Sequence, residues 1–225
     1  MKRRTLMSAA FIVGIGAMHG IVHGAENFER VKVFLERNVV DKDAEIKFEA
    51  TGGTGGLANL KVVAPDGRTV IDFKAPDSKL GMRTFSFESP EPTEDGKVQA
   101  DFPSGTYTFT GSSASGTQLE GKAMLSHRFP DATAFVHPKA DAKGVPVKGL
   151  KLSWQALKGM DSFVVVIEQE ASGRSFKINL PGHASAFSVP DGFLVPATEY
   201  KLAIGSVASD GNSSFIETSF TTAKP

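Results

Sequence analysis

The sequence predicts an all-β protein: two tandem β-sandwiches following an export leader. Three observations carry that prediction. Apolar and polar residues alternate in short runs separated by Gly, Pro, Asp, Asn and Ser, which is the period of half-buried strands and not of helices. The only two tyrosines, Tyr107 and Tyr200, each stand four residues after a proline, Pro103 and Pro196, at the head of such a run. The first 25 residues join a basic start (Lys2, Arg3, Arg4) to an apolar stretch from Leu6 to Met18, broken only by Ser8, Gly14 and Gly16.

That N-terminal pattern is expected to be a secretory signal peptide, residues 1–25. The apolar run is too short to span a bilayer, and Gly24 and Ala25 offer small residues for cleavage before Glu26-Asn27. The leader holds three of the 25 basic residues and none of the 25 acidic ones, so the mature chain carries 22 against 25, a formal charge of −3. No basic stripe is left to neutralise phosphates, which argues against a nucleic-acid partner. The chain has no cysteine, so it is expected to have no disulfide framework, no thiol chemistry and no lipid-anchored cysteine. With no second apolar stretch of spanning length, a soluble protein of the periplasm or exterior is expected.

Within residues 26–130 the strand signals are Val31-Lys32-Val33, Ile46-Lys47-Phe48, Leu60-Lys61-Val62, Ile71-Asp72-Phe73 and Phe85-Ser86-Phe87. Ala64-Pro65-Asp66-Gly67 reads as a tight turn. Tyr107 and Phe109 open a further strand, which turns at Ser113-Ala114-Ser115-Gly116 and returns through Leu119, Ala123 and Leu125. Within residues 131–225 the runs are Leu150, Leu152 and Trp154; then Phe163-Val164-Val165-Val166-Ile167; then Phe176, Ile178 and Leu180; then Phe187 and Val189. Tyr200, Leu202 and Ile204 share one face of the next strand, with Leu194 and Pro196 on its approach. This is the pattern of a tyrosine corner, in which the ring enters the core and the hydroxyl bonds to upstream main chain. The junction Phe129-Pro130-Asp131-Ala132 is short and stiffened by proline, so the two domains are expected to touch.

The order Trp154, β-branched strand, Leu194-Val195-Pro196-Ala197-Thr198-Glu199-Tyr200, the Asp210-Gly211-Asn212 hairpin and a last strand ending Phe220-Thr221-Thr222 resembles a fibronectin type III domain over residues 131–225. Where an antibody domain has a cysteine two residues after the corner tyrosine, this chain has Leu202. The first half resembles an immunoglobulin-like sandwich. The whole mature chain is similar to an uncharacterised group of secreted bacterial proteins, through Phe102-Pro103-Ser104-Gly105-Thr106-Tyr107-Thr108-Phe109, Gly116, Leu119, Gly121, Ala123, Leu125, His127, Pro130 and the second tyrosine corner. It departs from that group before Phe102, where Glu94-Asp95-Gly96-Lys97 stands in place of a short leucine-containing helical turn. The resemblance implies the fold and no activity.

Little in the sequence supports catalysis. His127, His137 and His183 follow the leader with no metal-ligand spacing. His127 closes a strand beside the junction and is expected at the domain interface, where two ring nitrogens can serve both domains. Thr51-Gly52-Gly53-Thr54-Gly55-Gly56 lacks the Lys-Ser/Thr ending of a phosphate loop and reads as a connector. Asp41-Lys42-Asp43 and Glu91-Pro92-Thr93-Glu94-Asp95 do not match a calcium loop and read as solvated turns. No Gly-x-Ser-x-Gly elbow occurs. Trp154, Tyr107 and Tyr200 are claimed by cores, which leaves only phenylalanines as a stacking platform for sugars. The expected protein is therefore a non-enzymatic binding or spacer protein of the cell envelope, without cofactor or metal, acting on a protein partner. The alternatives are a periplasmic chaperone, since fimbrial chaperones are also two such domains, and a carbohydrate-binding accessory with a glycan ligand.

Overall fold

The computed structural model describes residues 25–93 and 96–225; the expected leader, but for Ala25, lies outside the described residues. The first sandwich is formed by β1 (Glu26–Asn27), β2 (Arg30–Asn38), β3 (Asp43–Thr51), β4 (Leu57–Val63), β5 (Thr69–Lys74), β6 (Thr84–Glu88), the short helix α1 (Lys97–Asp101), β7 (Gly105–Ser113) and β8 (Gln118–Leu125). The second is formed by β9 (Phe135–His137), β10 (Ala142–Val145), β11 (Lys151–Trp154), β12 (Ser162–Gln169), β13 (Arg174–Pro181), β14 (Ala186–Ser188), β15 (Glu199–Val207) and β16 (Ser213–Thr222). Among the described residues no helix is long and apolar enough to cross a membrane.

Both sandwiches have the same connectivity. In the first, β2-β3-β6 faces β5-β4-β7-β8; in the second, β9-β11-β14 faces β13-β12-β15-β16. Each adds one short parallel strand to its last strand, β1 on β8 and β10 on β16. A three-stranded sheet over a four-stranded one, in this order, is the fibronectin type III and immunoglobulin-like sandwich. The sequence runs account for the longer strands, while β1, β9 and β10 are too short to show a period.

Each sandwich encloses its own core. Leu35, Ile46, Leu60, Val62, Tyr107 and Phe109 lie at the centre of the first, and Leu152, Trp154, Phe163, Val165, Ile167, Leu202 and Phe220 at the centre of the second. Alternation along β12 sends Phe163, Val165 and Ile167 inward, each fully buried, and Val164 and Val166 outward. Trp154 packs against Phe163 at 5.6 Å between ring centroids.

The two tyrosines occupy equivalent places on β7 and β15, one in each sandwich. Tyr107 Oη donates to the Pro103 carbonyl at 3.1 Å. Burial pushes its phenol up to about 12. Tyr200 Oη accepts from the Val195 N–H at 3.0 Å, with Leu194 buried on the approach. The Phe220 ring stacks on Tyr200 at 5.6 Å, and Thr222 Oγ1 donates to the Val195 carbonyl at 2.7 Å. Pro196 is exposed, and its carbonyl accepts from Thr198 Oγ1 at 2.9 Å.

Before Phe102 the chain does form a helical turn. In α1 Val98 is buried, and Phe102 then packs edge-on to Phe48 at 5.9 Å. The glycine-rich connector after β3 contains a single 3-10 turn, Gly53–Gly55. Its last glycine is required by contact. Gly56 has φ 58°, and a Cβ there would fall 2.1 Å from the Leu80 carbonyl oxygen. The connector thus seats the neighbouring loop, and Met82 exchanges both main-chain hydrogen bonds with Leu57 at 2.7 and 2.9 Å.

Candidate functional site: the seam between the sandwiches

The C-terminal end of β2 crosses to the other sandwich. Glu36, Arg37 and Asn38 pair in parallel with Ser213, Ser214 and Phe215 of β16, which merges β13-β12-β15-β16 and β2-β3-β6 into one sheet. The Val39 N–H extends the ladder to the Phe215 carbonyl at 3.0 Å, and its side chain packs on the second core. β10 covers the rest of the same edge of β16, so main-chain groups that would be exposed on a lone domain are used for docking.

Asn212, 1% exposed, locks this seam. The hairpin between β15 and β16 closes when the Gly211 N–H donates to the Ala208 carbonyl at 2.9 Å, and Asp210 Oδ1 takes the Asn212 N–H at 3.1 Å. The tip then enters the gap between β2 and the end of β8. There Asn212 Oδ1 accepts from the Leu35 N–H at 2.8 Å, while Nδ2 reaches the Ser126 carbonyl, Ser126 Oγ and the Arg128 carbonyl, each at 3.0 Å. A carboxamide has the donors and acceptor of a peptide unit. In this gap it acts as a rung joining two strands that have diverged.

The connecting segment is held as firmly. Buried Ser214 donates through Oγ to the Pro130 carbonyl at 2.7 Å and accepts from Arg37 Nε at 2.8 Å. The same guanidinium donates to the Pro130 carbonyl at 3.1 Å and lies 4.8 Å over the Phe129 ring. Ser206 Oγ donates to the Asp131 carbonyl at 2.6 Å. Across the seam, Ser126 Oγ donates to Asp210 Oδ2 at 2.7 Å.

His127 stands apart from this network, although its neighbours on both sides belong to it. Its Nε2 is 2.8 Å from the Phe102 carbonyl, so its ring turns back into the first sandwich. The Ser126 and Arg128 carbonyls meet Asn212, while the His127 side chain between them reaches the Phe102 carbonyl. From sequence alone Asn212 reads only as a turn residue. An amide following Asp-Gly at a hairpin tip was the available signal; for Arg37 there was none.

A polar cluster lies on the outer face beside the seam. Lys47 Nζ is 2.9 Å from buried Glu45, 3.3 Å from Glu36 and 3.6 Å from Glu88. Burial raises the Glu45 carboxyl above its ordinary range, and Lys47 offsets this only in part. For Lys47 burial works against the charge, but the hydrogen bond to Glu45 and the nearby Glu36 outweigh it and raise the ammonium above its usual range. Ser213 Oγ, 3.4 Å from Glu36, links the cluster to the second sandwich. Among the described residues no group of three or more His, Asp or Glu is placed to hold a metal, and His127, His137 and His183 lie apart in the chain.

No family model matches the chain, and no curated protein matches it. Solved structures do. The FN1–FN3 domains of chicken CNTN1 are 11% identical over 89% of this chain, with a TM-score of 0.33, and the chain spans 65% of that structure's length. The fibronectin(III)-like modules of Clostridium thermocellum CbhA are 10% identical over 87% of this chain and 95% of theirs, with a TM-score of 0.36. A two-domain fibronectin type III segment of chicken tenascin is 15% identical over 88% of this chain and 100% of its own, with a TM-score of 0.34. The strand order given above is what identifies the fold.

Proposed function

We propose that this chain is an exported, non-enzymatic spacer and binding module of the cell envelope, in which residues 26–130 and 131–225 are two domains held at one fixed angle for a protein partner. The observation that supports this reading is the seam. Interdomain contacts within a chain are ordinarily polar and yielding. Here a continuous sheet and a buried carboxamide join the two sandwiches, an arrangement suited to holding geometry.

The partner is assigned to the opposite end of the first sandwich. Strand direction gathers the loops after β3, β5 and β7 there, and the Ala114 N–H donates to the Gly56 carbonyl at 3.0 Å. End loops of a sandwich are its customary recognition surface. Leu80, 86% exposed, stands at their tip beside Met82, 47% exposed, with Lys79 and Arg83 flanking in sequence. Burying one leucine side chain contributes about 1.5 to 3 kcal/mol, so this tip suits an apolar pocket with an acidic rim.

The experiment is affinity capture from the envelope fraction with the mature protein and with Leu80→Ser. One defined protein retained by the first and lost by the second is the expected result. A broad set of unfolded subunits on both baits, or retention of a polysaccharide in place of a protein, overturns the reading in favour of a chaperone or a glycan-binding accessory.

A further inference from the structure

We propose that the seam is a pH-sensitive clasp: carboxylates from both sandwiches crowd one groove across it, so that acid tightens the docking and neutral pH loosens it. The groove, about 320 Å³, opens on the outer face of the merged sheet, over the β16–β2 pairing. Glu217 of β16 stands on one side. Asp41, in the turn after β2, and Asp43, at the start of β3, stand on the other. Although exposed along one flank, Glu217 has its carboxyl raised from the ordinary 4.5, first by partial burial and then by the charge of Asp41, with Asp43 adding to it. A hydrogen bond from Asn38 and the charge of Lys201 oppose the shift without cancelling it.

The remaining charges around the groove do not relieve this repulsion. Glu36, Glu45 and Glu91 line it from the first sandwich and Glu168 from the second, all of the same sign. Of the cations, Lys201 is paired with Glu170 and Lys47 is held by Glu45, Glu36 and Glu88. Arg37 is committed to Ser214 and the Pro130 carbonyl, and Lys42 lines the adjoining hollow beside Phe129. Among the described residues, only Lys177 of β13 contributes a further cation to the groove wall.

The direction follows from linkage. A group whose pKa is higher in the docked state than in the opened state binds more protons when docked. Its contribution to docking is therefore present at low pH and lost as pH rises through the raised value. For Glu217 the window lies above the ordinary carboxylate value of 4.5.

The test is amide hydrogen exchange on the purified protein, read at two groups that donate across the seam: the Leu35 N–H to Asn212 Oδ1 and the Val39 N–H to the Phe215 carbonyl. After correction for intrinsic exchange, their protection is expected to rise about threefold between about pH 7 and about pH 5, a fraction of the tenfold that one pKa unit represents. In Glu217→Gln the two amides are expected to be already protected at neutral pH and nearly flat with pH. Asp41→Asn, which removes the repulsion from the other side, is expected to blunt the response as well. Protection that is unchanged or falls on acidification, or a full response surviving in both variants, overturns the proposal.

Discussion

Replacing Asn212 by aspartate changes one atom and tests the seam with little change of shape. The carboxylate keeps the acceptor that holds the Leu35 N–H, but sets an oxygen 3.0 Å from the Ser126 and Arg128 carbonyls, where Nδ2 donated. Two main-chain hydrogen bonds of about 1 kcal/mol each are lost. A charge is also placed at a site 1% exposed, which raises the cost to about 3 to 5 kcal/mol or forces protonation of the new side chain. The penalty falls on docking and leaves both cores intact. Trp154, the only tryptophan, reports on the second sandwich alone, whereas far-UV circular dichroism reports on both. In urea the two signals are expected to coincide for the wild type and to separate in Asn212→Asp, because the units then unfold one at a time. Coincident transitions with an unchanged midpoint in the variant would refute the argument that Asn212 couples the sandwiches.

Three further outcomes are expected. Tyr200→Phe removes the acceptor of the part-buried Val195 N–H and costs about 1 kcal/mol by chemical denaturation, with no change in the strand signal of circular dichroism. Trp154→Ala costs about 3 to 5 kcal/mol in the second sandwich; Trp154→Phe costs far less, since the indole N–H has no hydrogen-bond partner among the described residues. Lys47→Met leaves Glu45 buried without its cation and destabilises the first sandwich by about 3 kcal/mol at neutral pH. Because the Glu45 carboxyl is raised by burial, that loss is recovered as pH falls, which a denaturation series across pH measures.

How much of this was legible in the sequence depended on whether one element carried the signal. Period-two runs such as Phe176, Ile178 and Leu180, the continuous apolar run Phe163–Ile167, and the spacing of Pro103–Tyr107 and Pro196–Tyr200 are local, and they placed the long strands and both tyrosine corners. The strands β1, β9 and β10 have two to four residues and owe their pairing to the edge they lie on. The seam was hidden for another reason. Its partners are far apart in the chain, 177 residues for Leu35 and Asn212, and the side chains are ordinary polar ones whose value lies in the gap they fill. His127 drew attention because imidazoles are chemically versatile, yet docking was accomplished by a carboxamide and by main-chain carbonyls. Glycine was similarly ambiguous: the run after β3 looked like a flexible connector, while Gly56 is there to admit the Leu80 carbonyl.

Rigid docking of the two sandwiches is tested most directly by residual dipolar couplings on the isotopically labelled protein in a weakly aligning medium. Fitting β2–β8 and β11–β16 separately yields one alignment tensor per sandwich. A common tensor, equal in magnitude and orientation within error, is expected from a sheet continuous through Glu36–Asn38 and Ser213–Phe215. Two tensors of different magnitude would mean that the sandwiches reorient independently, and would contradict both the seam and the spacer function built on it.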